Sequence, residues 1–271
     1  MKILVADGVS EKGIEILSKE FECEIRAKLP AEELLATIHE YDGLVVRSAS
    51  KVTKEVIEAA TNLKVIGRAG VGVDNIDIEA ATAKGIIVLN APEGNTIAAT
   101  EHTVAMMLSM ARNIPQAHSS VQNGEWKRNQ FVGVEMRGKT LGVIGLGRIG
   151  SGVAKRAIAF DMKVIGYDPY VNEERAKTMG IEVVSLEEIY ANADFISVHM
   201  PLTAQTKDLI NSETISKMKD GVYLVNCARG GIINEADLAE AVKAGKVAGA
   251  AIVVFPQEPI VPYSSLLGVD K

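Results

Sequence analysis

Short apolar runs alternate with amphipathic stretches over the first third of the chain. Each run has the length of a β-strand, and the stretch that follows it spaces its apolar residues as a helix does. The predicted strands are Ile3–Ala6, Glu22–Arg26, Leu44–Val46, Lys64–Ile66 and Ile86–Leu89, and the predicted helices are Glu11–Lys19, Ala31–His39, Lys54–Ala60 and Ile78–Lys84. This alternation predicts an α/β domain whose parallel sheet is covered by helices on both faces.

The pattern is most informative where glycines interrupt it at a fixed spacing. An apolar run, Leu141–Ile144, leads into Gly145, Gly147 and Gly150; a helical segment follows, and a second apolar run ends in Asp168. Glycines at this spacing allow a tight turn, the close approach of a pyrophosphate to the backbone, and tight packing of the helix on the strand. The helix N-terminus would bind the phosphates and the acid would bind the adenosine ribose. The segment therefore predicts a dinucleotide site.

The residues around this acid also predict which dinucleotide binds. Asp168 would repel the 2′-phosphate of NADP, and neither Tyr167 nor Pro169 supplies a compensating cation. We therefore expect the cofactor to be NAD. Arg148, inside the glycine turn, is placed to reach the pyrophosphate, the alternative being a solvated surface arginine.

Three more apolar runs of strand length follow the glycine segment. They are Phe195–His199, Val222–Asn226 and Gly249–Val254, and each leads into a polar or helix-breaking segment. Ligands of open parallel sheets bind outside the carboxyl ends of the strands, so these segments are candidates for the rim of a pocket. Arg229 is the most specific candidate for a substrate-binding residue, because its guanidinium group could hold a carboxylate with two hydrogen bonds. The alternative is an arginine that supports the helix after it.

Two segments between the predicted domains have distinct patterns. The segment Asn95–Arg112 is apolar almost all round, which predicts a helix buried between layers that forms a spine between the domains. The segment Pro115–Arg137 contains the single tryptophan, Trp126, beside Lys127 and Phe131. Tryptophan is enriched in interface hot spots, so we expect an arm that packs on a second subunit.

Composition excludes several classes of protein. The 271 residues carry a formal net charge of −6, and no cluster of Lys and Arg forms a stripe. This balance argues against a nucleic-acid or membrane partner. Cys23 and Cys227 are too few for a disulfide framework or a zinc site, so no metal is expected. The sequence shows neither a signal peptide nor an apolar span, and we expect a cytoplasmic protein.

Six segments carry a resemblance to a known family. They are Arg68–Asp77, Asn90–Thr96, Gly145–Gly150, His199–Thr203, Asn226–Ile232 and Phe255–Pro259. Together they resemble the D-isomer-specific 2-hydroxyacid dehydrogenases over essentially the whole chain. The resemblance implies a flavodoxin-like substrate domain over residues 1–93. It further implies a Rossmann NAD-binding domain over residues 94–271, with a dimerisation arm at 113–138.

The resemblance also implies roles for individual residues. Arg229 would bind the substrate carboxylate beside the reacting carbonyl, and Glu258 would orient a catalytic histidine and raise its pKa. The implied cofactor-binding residues are Val71, Gly145, Gly147, Arg148, Ile149, Gly150, Asp168, His199, Met200, Pro201, Cys227, Ala228, Arg229 and Val253. The implied substrate-binding residues are Arg47 and Ser48, which would contact a phosphate group, and Gly70, Val71, Gly72 and Asn95.

Within the family, the resemblance is strongest to members that use NAD to oxidise D-3-phosphoglycerate to 3-phosphohydroxypyruvate. This reaction is the first step of serine biosynthesis, and the implied assembly is a homodimer or a tetramer. One alternative is a glyoxylate or hydroxypyruvate reductase. Another is a catalytically silent NAD-binding protein that acts by subunit association.

Two departures from the family pattern bear on activity. The proton-transferring histidine of the family follows a segment that matches Leu266–Asp270, whereas this chain stops at Lys271. We therefore expect impaired activity and a Rossmann domain without its last strand. Val253 stands where the family has an aspartate that accepts a hydrogen bond from the nicotinamide carboxamide. His199 lies in the predicted cofactor cleft, where we expect it to support neighbouring groups.

Overall fold

The chain folds into two compact units, each built around one parallel sheet. The computed structural model describes residues 1–269. The two units are Met1–Asn95 and Thr96–Lys271. The predicted α/β class with two parallel sheets is confirmed. Asp270 and Lys271, with which the predicted second domain ends, lie outside the described residues. None of the described helices combines the length and the hydropathy needed to cross a membrane.

The first unit contains a five-stranded sheet. Its elements are β1 Lys2–Val5, α1 Glu11–Ser18, β2 Glu22–Ile25, α2 Ala31–Thr37, β3 Gly43–Val46, α3 Lys54–Ala59, β4 Val65–Arg68, α4 Ile78–Ala83 and β5 Ile87–Asn90. The strand order is β2-β1-β3-β4-β5, with every neighbouring pair parallel. This is the flavodoxin-like order of a doubly wound sheet. The carboxyl ends of β1, β3, β4 and β5 therefore meet at one edge.

The core of the first unit explains why these segments form strands and helices. The inward side chains of β1, β3 and β4, including Leu4, Leu44 and Ile66, pack with Leu34 of α2 and Ile57 of α3. All five side chains are almost completely buried. Burial of a large aliphatic side chain contributes roughly 1.5–3 kcal/mol, which is enough to override weak local preferences.

The second unit contains a six-stranded parallel sheet. Its elements are α5 Thr96–Ala111, α6 Ile114–Gln122, β6 Thr140–Ile144, α7 Arg148–Ala159, β7 Lys163–Tyr167, α8 Glu173–Thr178, β8 Glu182–Val183, α9 Leu186–Asn192, β9 Phe195–Val198, α10 Ser212–Ser216, β10 Val222–Asn226, α11 Glu235–Lys243 and β11 Val247–Ile252. The strand order is β11-β10-β9-β6-β7-β8. From β6, the strands β7 and β8 follow towards one edge of the sheet, and β9, β10 and β11 follow towards the other. In the described residues, this is the six-stranded Rossmann order.

Two hydrophobic clusters cover the opposite faces of this second sheet. Val143 and Phe195 belong to one cluster, whereas the next residues along their strands, Ile144 and Ile196, belong to the other. Successive side chains of a strand point to opposite faces, so strands that are apolar throughout are buried on both sides. The continuous apolar runs in the sequence arise from this two-sided burial.

The helix α5 differs from its prediction. Thr100, Thr103, Met107 and Ala111 form one buried stripe, which packs against elements of the second unit, whereas Ile97 is 58% exposed. The predicted burial between layers therefore holds for this stripe only, and the role of the helix as a spine between the domains stays a prediction. Its apolar residues cover most of its circumference, but only one stripe faces the α7 helix and the β10 and β11 strands.

The predicted arm, residues 113–138, contains the helix α6 and a short 3₁₀ turn at Arg128–Phe131. Trp126 is 82% exposed and Val132 is 78% exposed. Large apolar side chains at this exposure are a feature of surfaces that bind a protein partner. The role of the arm in dimerisation stays a prediction.

Candidate functional site

The glycine turn after β6 is the centre of the second unit's candidate site. Gly145 has φ +100°, a conformation that L side chains rarely adopt, and its N–H donates to the Tyr167 carbonyl at 2.7 Å. A Cβ atom at this position would lie 2.6 Å from the carbonyl oxygen of His199. The positive φ and the lack of space for a Cβ atom both require glycine. The turn is thus held between the ends of β7 and β9.

The other two glycines of the turn differ in their surroundings. A Cβ at Gly147 would meet no atom within 4 Å, whereas a Cβ at Gly150 would collide with the Gly145 carbonyl group. Gly147 is the N-cap of α7 and makes no side-chain cap hydrogen bond. Open space at a helix N-terminus suits a pyrophosphate. Gly150 instead allows the helix to pack closely on the turn.

Asp168 follows β7 and is tied to the same turn. Its Oδ2 accepts a hydrogen bond from Leu146 N at 2.8 Å, and its Oδ1 accepts one from Tyr170 N at 2.8 Å. A carboxylate has about four acceptor positions, so each oxygen retains the capacity to accept one more donor. Two ribose hydroxyls are suitable donors. The turn, the helix N-terminus and this acid fit an NAD molecule.

His199, at the end of β9, lies beside the turn. The residue is half-buried, and desolvation lowers the pKa of His199 to about 4. The imidazole is therefore neutral at pH 7, and its Nε2 lies 2.8 Å from the Ser197 hydroxyl. A neutral, hydrogen-bonded ring supports the turn rather than carrying a charge. Of the two residues that follow, Met200 approaches Gly145, and the Pro201 carbonyl accepts a hydrogen bond from the Thr206 hydroxyl at 2.6 Å.

The loop after β10 holds Arg229 in a defined conformation. Asn226, only 2% exposed, donates from Nδ2 to the Arg229 carbonyl at 2.8 Å and accepts from Ala228 N at 3.0 Å. The Arg229 guanidinium donates to the Ala228 carbonyl at 2.7 Å. Burial raises the pKa of the Cys227 thiol, and a hydrogen bond with Thr103 offsets part of this rise.

A second segment lies against this loop. A Cβ at Gly230 would collide with the backbone of Phe255 and Pro256, so glycine is required for the contact. Val253 N donates to the Asn226 carbonyl at 3.3 Å. Glu258 is exposed, and its carboxylate accepts a hydrogen bond from Phe255 N at 3.1 Å. The structure therefore brings the Arg229 loop and the Glu258 segment together.

A separate group of loops lies at the carboxyl edge of the first unit's sheet. Asp7, after β1, accepts hydrogen bonds from the backbone of Arg47 and Ser50, after β3. Arg47 donates from its guanidinium to the Gly8 carbonyl at 3.1 Å. Arg68, at the end of β4, donates to the Ser48 hydroxyl at 3.1 Å. Two cationic side chains and a hydroxyl thus share this edge.

Gly70 and Val71 belong to the same edge. A Cβ at Gly70 would collide with the Arg68 guanidinium, so a larger residue would displace that group from its position beside Ser48. The Val71 carbonyl accepts a hydrogen bond from the Asn90 side chain at 2.7 Å. Gly72 follows in the same half-buried loop, and Asn95, at the end of the unit, is exposed.

Three polar residues that position these loops were missed by sequence reasoning: Asp7, Asn75 and Asn226. Each bonds to the backbone of a functional loop. Asp7 follows β1 and Asn226 ends β10, whereas Asn75 lies in the loop between β4 and α4. A polar residue that ends an apolar run was the available signal for Asp7 and Asn226 only. Among residues 1–269, no group of three or more His, Cys, Asp or Glu side chains could hold a metal ion.

Comparison with known proteins gives one family. The sequence model described as "D-isomer specific 2-hydroxyacid dehydrogenase, NAD binding domain" matches residues 104–271. The chain is 54% identical over 272 residues to the D-3-phosphoglycerate dehydrogenase of Archaeoglobus fulgidus, covering 100% of this chain and 52% of that protein. It is 56% identical over 260 residues to the enzyme of the same name from Methanocaldococcus jannaschii, covering 96% of this chain and 50% of that protein.

The chain thus spans about half the length of these curated relatives. The fold is also similar to that of a solved structure. The D-lactate dehydrogenase of Aquifex aeolicus, crystallised with NAD and lactic acid, superimposes with a TM-score of 0.85 at 33% identity, covering 95% of this chain and 78% of that one.

Proposed function

The chain belongs to the D-isomer-specific 2-hydroxyacid dehydrogenases, whose cofactor is NAD, and on that premise we propose that this protein oxidises D-3-phosphoglycerate to 3-phosphohydroxypyruvate. The names of relatives at 54% and 56% identity support the substrate. The reaction is the first step of serine biosynthesis. The cytoplasmic location and the homodimer expected from the sequence are parts of the same proposal.

The observation that carries the substrate assignment is the group around Ser48. Arg68 donates to the Ser48 hydroxyl, and Arg47 occupies the same exposed loop. Guanidinium groups bind phosphate with two parallel charge-assisted hydrogen bonds, and a hydroxyl adds a further donor. Glyoxylate and hydroxypyruvate carry no phosphate to use this group. The geometry therefore favours the phosphorylated acid over the substrates of the alternative reductases.

The remaining residues of the proposed mechanism act on the carboxylate and the cofactor. NAD, when bound, would supply the acceptor for the hydride of the hydroxyl-bearing carbon, and the hydroxyl proton would leave to water. Arg229 would bind the substrate carboxylate, and Asn226 fixes the backbone on which that guanidinium is carried. The first turn of α7 would hold the pyrophosphate, and Asp168 would hold the ribose. His199 is neutral at pH 7 and hydrogen-bonded to Ser197, and in this proposal it acts as a support for the turn.

A comparison of substrates tests this proposal. The rate of NADH oxidation is measured with 3-phosphohydroxypyruvate, hydroxypyruvate and glyoxylate at equal enzyme concentration. We expect kcat/KM for the phosphorylated acid to exceed the others by roughly a hundredfold, since a site built to bond a polar group rejects analogues that lack it. Arg47→Gln should reduce this preference and leave the rate with hydroxypyruvate almost unchanged.

Two results would contradict the proposal in different ways. An equal or higher kcat/KM with glyoxylate would identify the protein as a reductase of small 2-oxo acids. Tight NADH binding without binding of any of the three acids would instead favour the NAD-binding association protein.

A further inference from the structure

One buried carboxylate ties down both ends of the exposed loop that carries Arg47 and Ser48. Asp7 Oδ2 accepts hydrogen bonds from Arg47 N at 2.6 Å and Ser50 N at 3.1 Å, and Oδ1 accepts one from the Ser50 hydroxyl at 2.9 Å. Asp7 is 3% exposed and Ser50 is 6% exposed. The loop therefore begins and ends on a single side chain.

An amide fixes the same two residues from another segment. Asn75 donates from Nδ2 to the Arg47 carbonyl at 2.7 Å and to the Ser50 carbonyl at 2.6 Å. Its own position is set by the backbone, because Val52 N donates to the Asn75 carbonyl at 2.7 Å. Asp7 accepts from the N–H groups of Arg47 and Ser50, and Asn75 donates to their carbonyl groups. The backbone N–H and the carbonyl group of both Arg47 and Ser50 therefore have hydrogen-bond partners.

We propose that Asp7 and Asn75 are positioning residues that preset this loop for an anionic substrate group, and this inference rests on the proposed function. Residues 47–49 are exposed and lie between two fixed points. A loop ordered before binding loses less entropy when it closes on a ligand. The guanidinium of Arg47 and the hydroxyl of Ser48 are consequently held in place for the phosphate of the substrate.

The charge of Asp7 is compatible with an anion site nearby. Three donors converge on its carboxylate, two of them backbone N–H groups. Hydrogen bonds to a charged group are stronger than those between neutral groups, so the carboxylate is well compensated. These three donors are occupied by Asp7 and do not bond to the ligand. Asp7 therefore shapes the loop without contacting the substrate.

The substitution Asp7→Asn tests the proposal, because it replaces one acceptor oxygen by a donor that faces other donors. The affinity for D-3-phosphoglycerate is measured by titration calorimetry at saturating NADH, together with the affinity for D-glycerate, which lacks the phosphate. We expect the affinity for the phosphorylated acid to fall roughly tenfold to a hundredfold, the equivalent of one or two charged hydrogen bonds. The affinities for D-glycerate and for NADH should stay within about twofold.

A matched control is available at the opposite end of β3. Asp42 accepts hydrogen bonds from Lys2 N at 2.9 Å and from the Lys64 ammonium at 2.9 Å, and it lies before the strand rather than after it. Asp42→Asn removes comparable bonds from the same sheet and should leave the phosphate preference intact. Asn75→Ala and Ser50→Ala provide further variants if Asp7→Asn fails to fold.

The outcomes separate the two proposals. A selective loss of D-3-phosphoglycerate affinity in the Asp7 and Asn75 variants supports the positioning role. A folded Asp7→Asn variant with unchanged preference overturns it, as does an equal loss in Asp42→Asn or an equal loss for both acids. If the unmutated chain binds NADH but shows no preference for the phosphorylated acid, the proposed function fails, and the substrate role of the loop fails with it.

Discussion

His199 shows how one residue's surroundings decide its role. The sequence places it at a strand end in the cofactor cleft, where an imidazole could either transfer protons or support its neighbours. In the structure the residue is half-buried and its Nε2 lies 2.8 Å from the Ser197 hydroxyl. Desolvation disfavours the charged form, which lowers the pKa of His199 to about 4. These surroundings favour the supporting role, which stays a prediction.

This lowered pKa predicts a loss of stability in acid. The unfolded chain takes up a proton at His199 near its ordinary pKa of 6.5, whereas the folded chain does so only near 4. The stabilisation is complete above pH 6.5 and is lost as the pH falls towards 4, by an upper limit of about 3 kcal/mol. Urea unfolding between pH 7 and pH 4 should show a shallower loss in His199→Gln. The exposed His118→Gln variant should follow the unmutated chain, and equal slopes for all three would contradict the assignment.

Alanine substitutions at Gly147 and Gly150 should both weaken NADH binding but should differ in their effect on stability. Gly147→Ala meets open space, so its effect on the free energy of unfolding should stay within about 1 kcal/mol, the scale of a changed helix cap. Its methyl group would nevertheless occupy the space in which a pyrophosphate approaches, and NADH affinity should fall at least about tenfold. Gly150→Ala collides with the Gly145 carbonyl group and should lose both stability and affinity.

Thermal unfolding and NADH titration of the two variants check this prediction. A Gly147→Ala protein that binds NADH normally would show that the cofactor does not approach this part of the turn. A Gly150→Ala protein of normal stability would show that the helix does not depend on this close contact.

At the scale of elements, the apolar pattern predicts most of the strands because burial on both faces makes them continuous. It does not predict β8, Glu182–Val183, which has two residues and no apolar run. It also overestimates the burial of α5, since an apolar circumference does not tell which stripe faces a neighbour. The contacts of Asp7, Asn75 and Asn226 join segments distant in the sequence. No periodicity records such contacts.

The arm is the element whose role is most open to experiment. Trp126 is 82% exposed within the chain, and a side chain of this size gains most by burial against a partner. If the arm forms a dimer interface, Trp126→Ala should weaken dimerisation by at least tenfold in sedimentation velocity experiments. Tyr170→Ala, which removes another exposed ring at 94% exposure outside the arm, is the control. A monomeric unmutated chain at tens of micromolar would refute the interface.

At the scale of the whole molecule, the glycine spacing and the six family-like segments predicted both the fold and the NAD cofactor. Gly145, Gly150 and Asp168 occupy the positions that their motif requires, because the motif is itself a description of backbone geometry. The loop conformations around Arg47 and Arg229 were beyond prediction. Their shape depends on single buried side chains, Asp7 and Asn226, rather than on a local pattern.

We expect the second unit to bind NAD with Asp168 selecting the cofactor, and calorimetric titration with NADH and NADPH measures this selection directly. The unmutated chain should bind NADH at least about tenfold more tightly, because the carboxylate accepts the ribose hydroxyls and repels a 2′-phosphate. Asp168→Ala should weaken NADH binding and remove the preference. Equal affinities of the unmutated chain for NADH and NADPH would show that Asp168 does not select the cofactor.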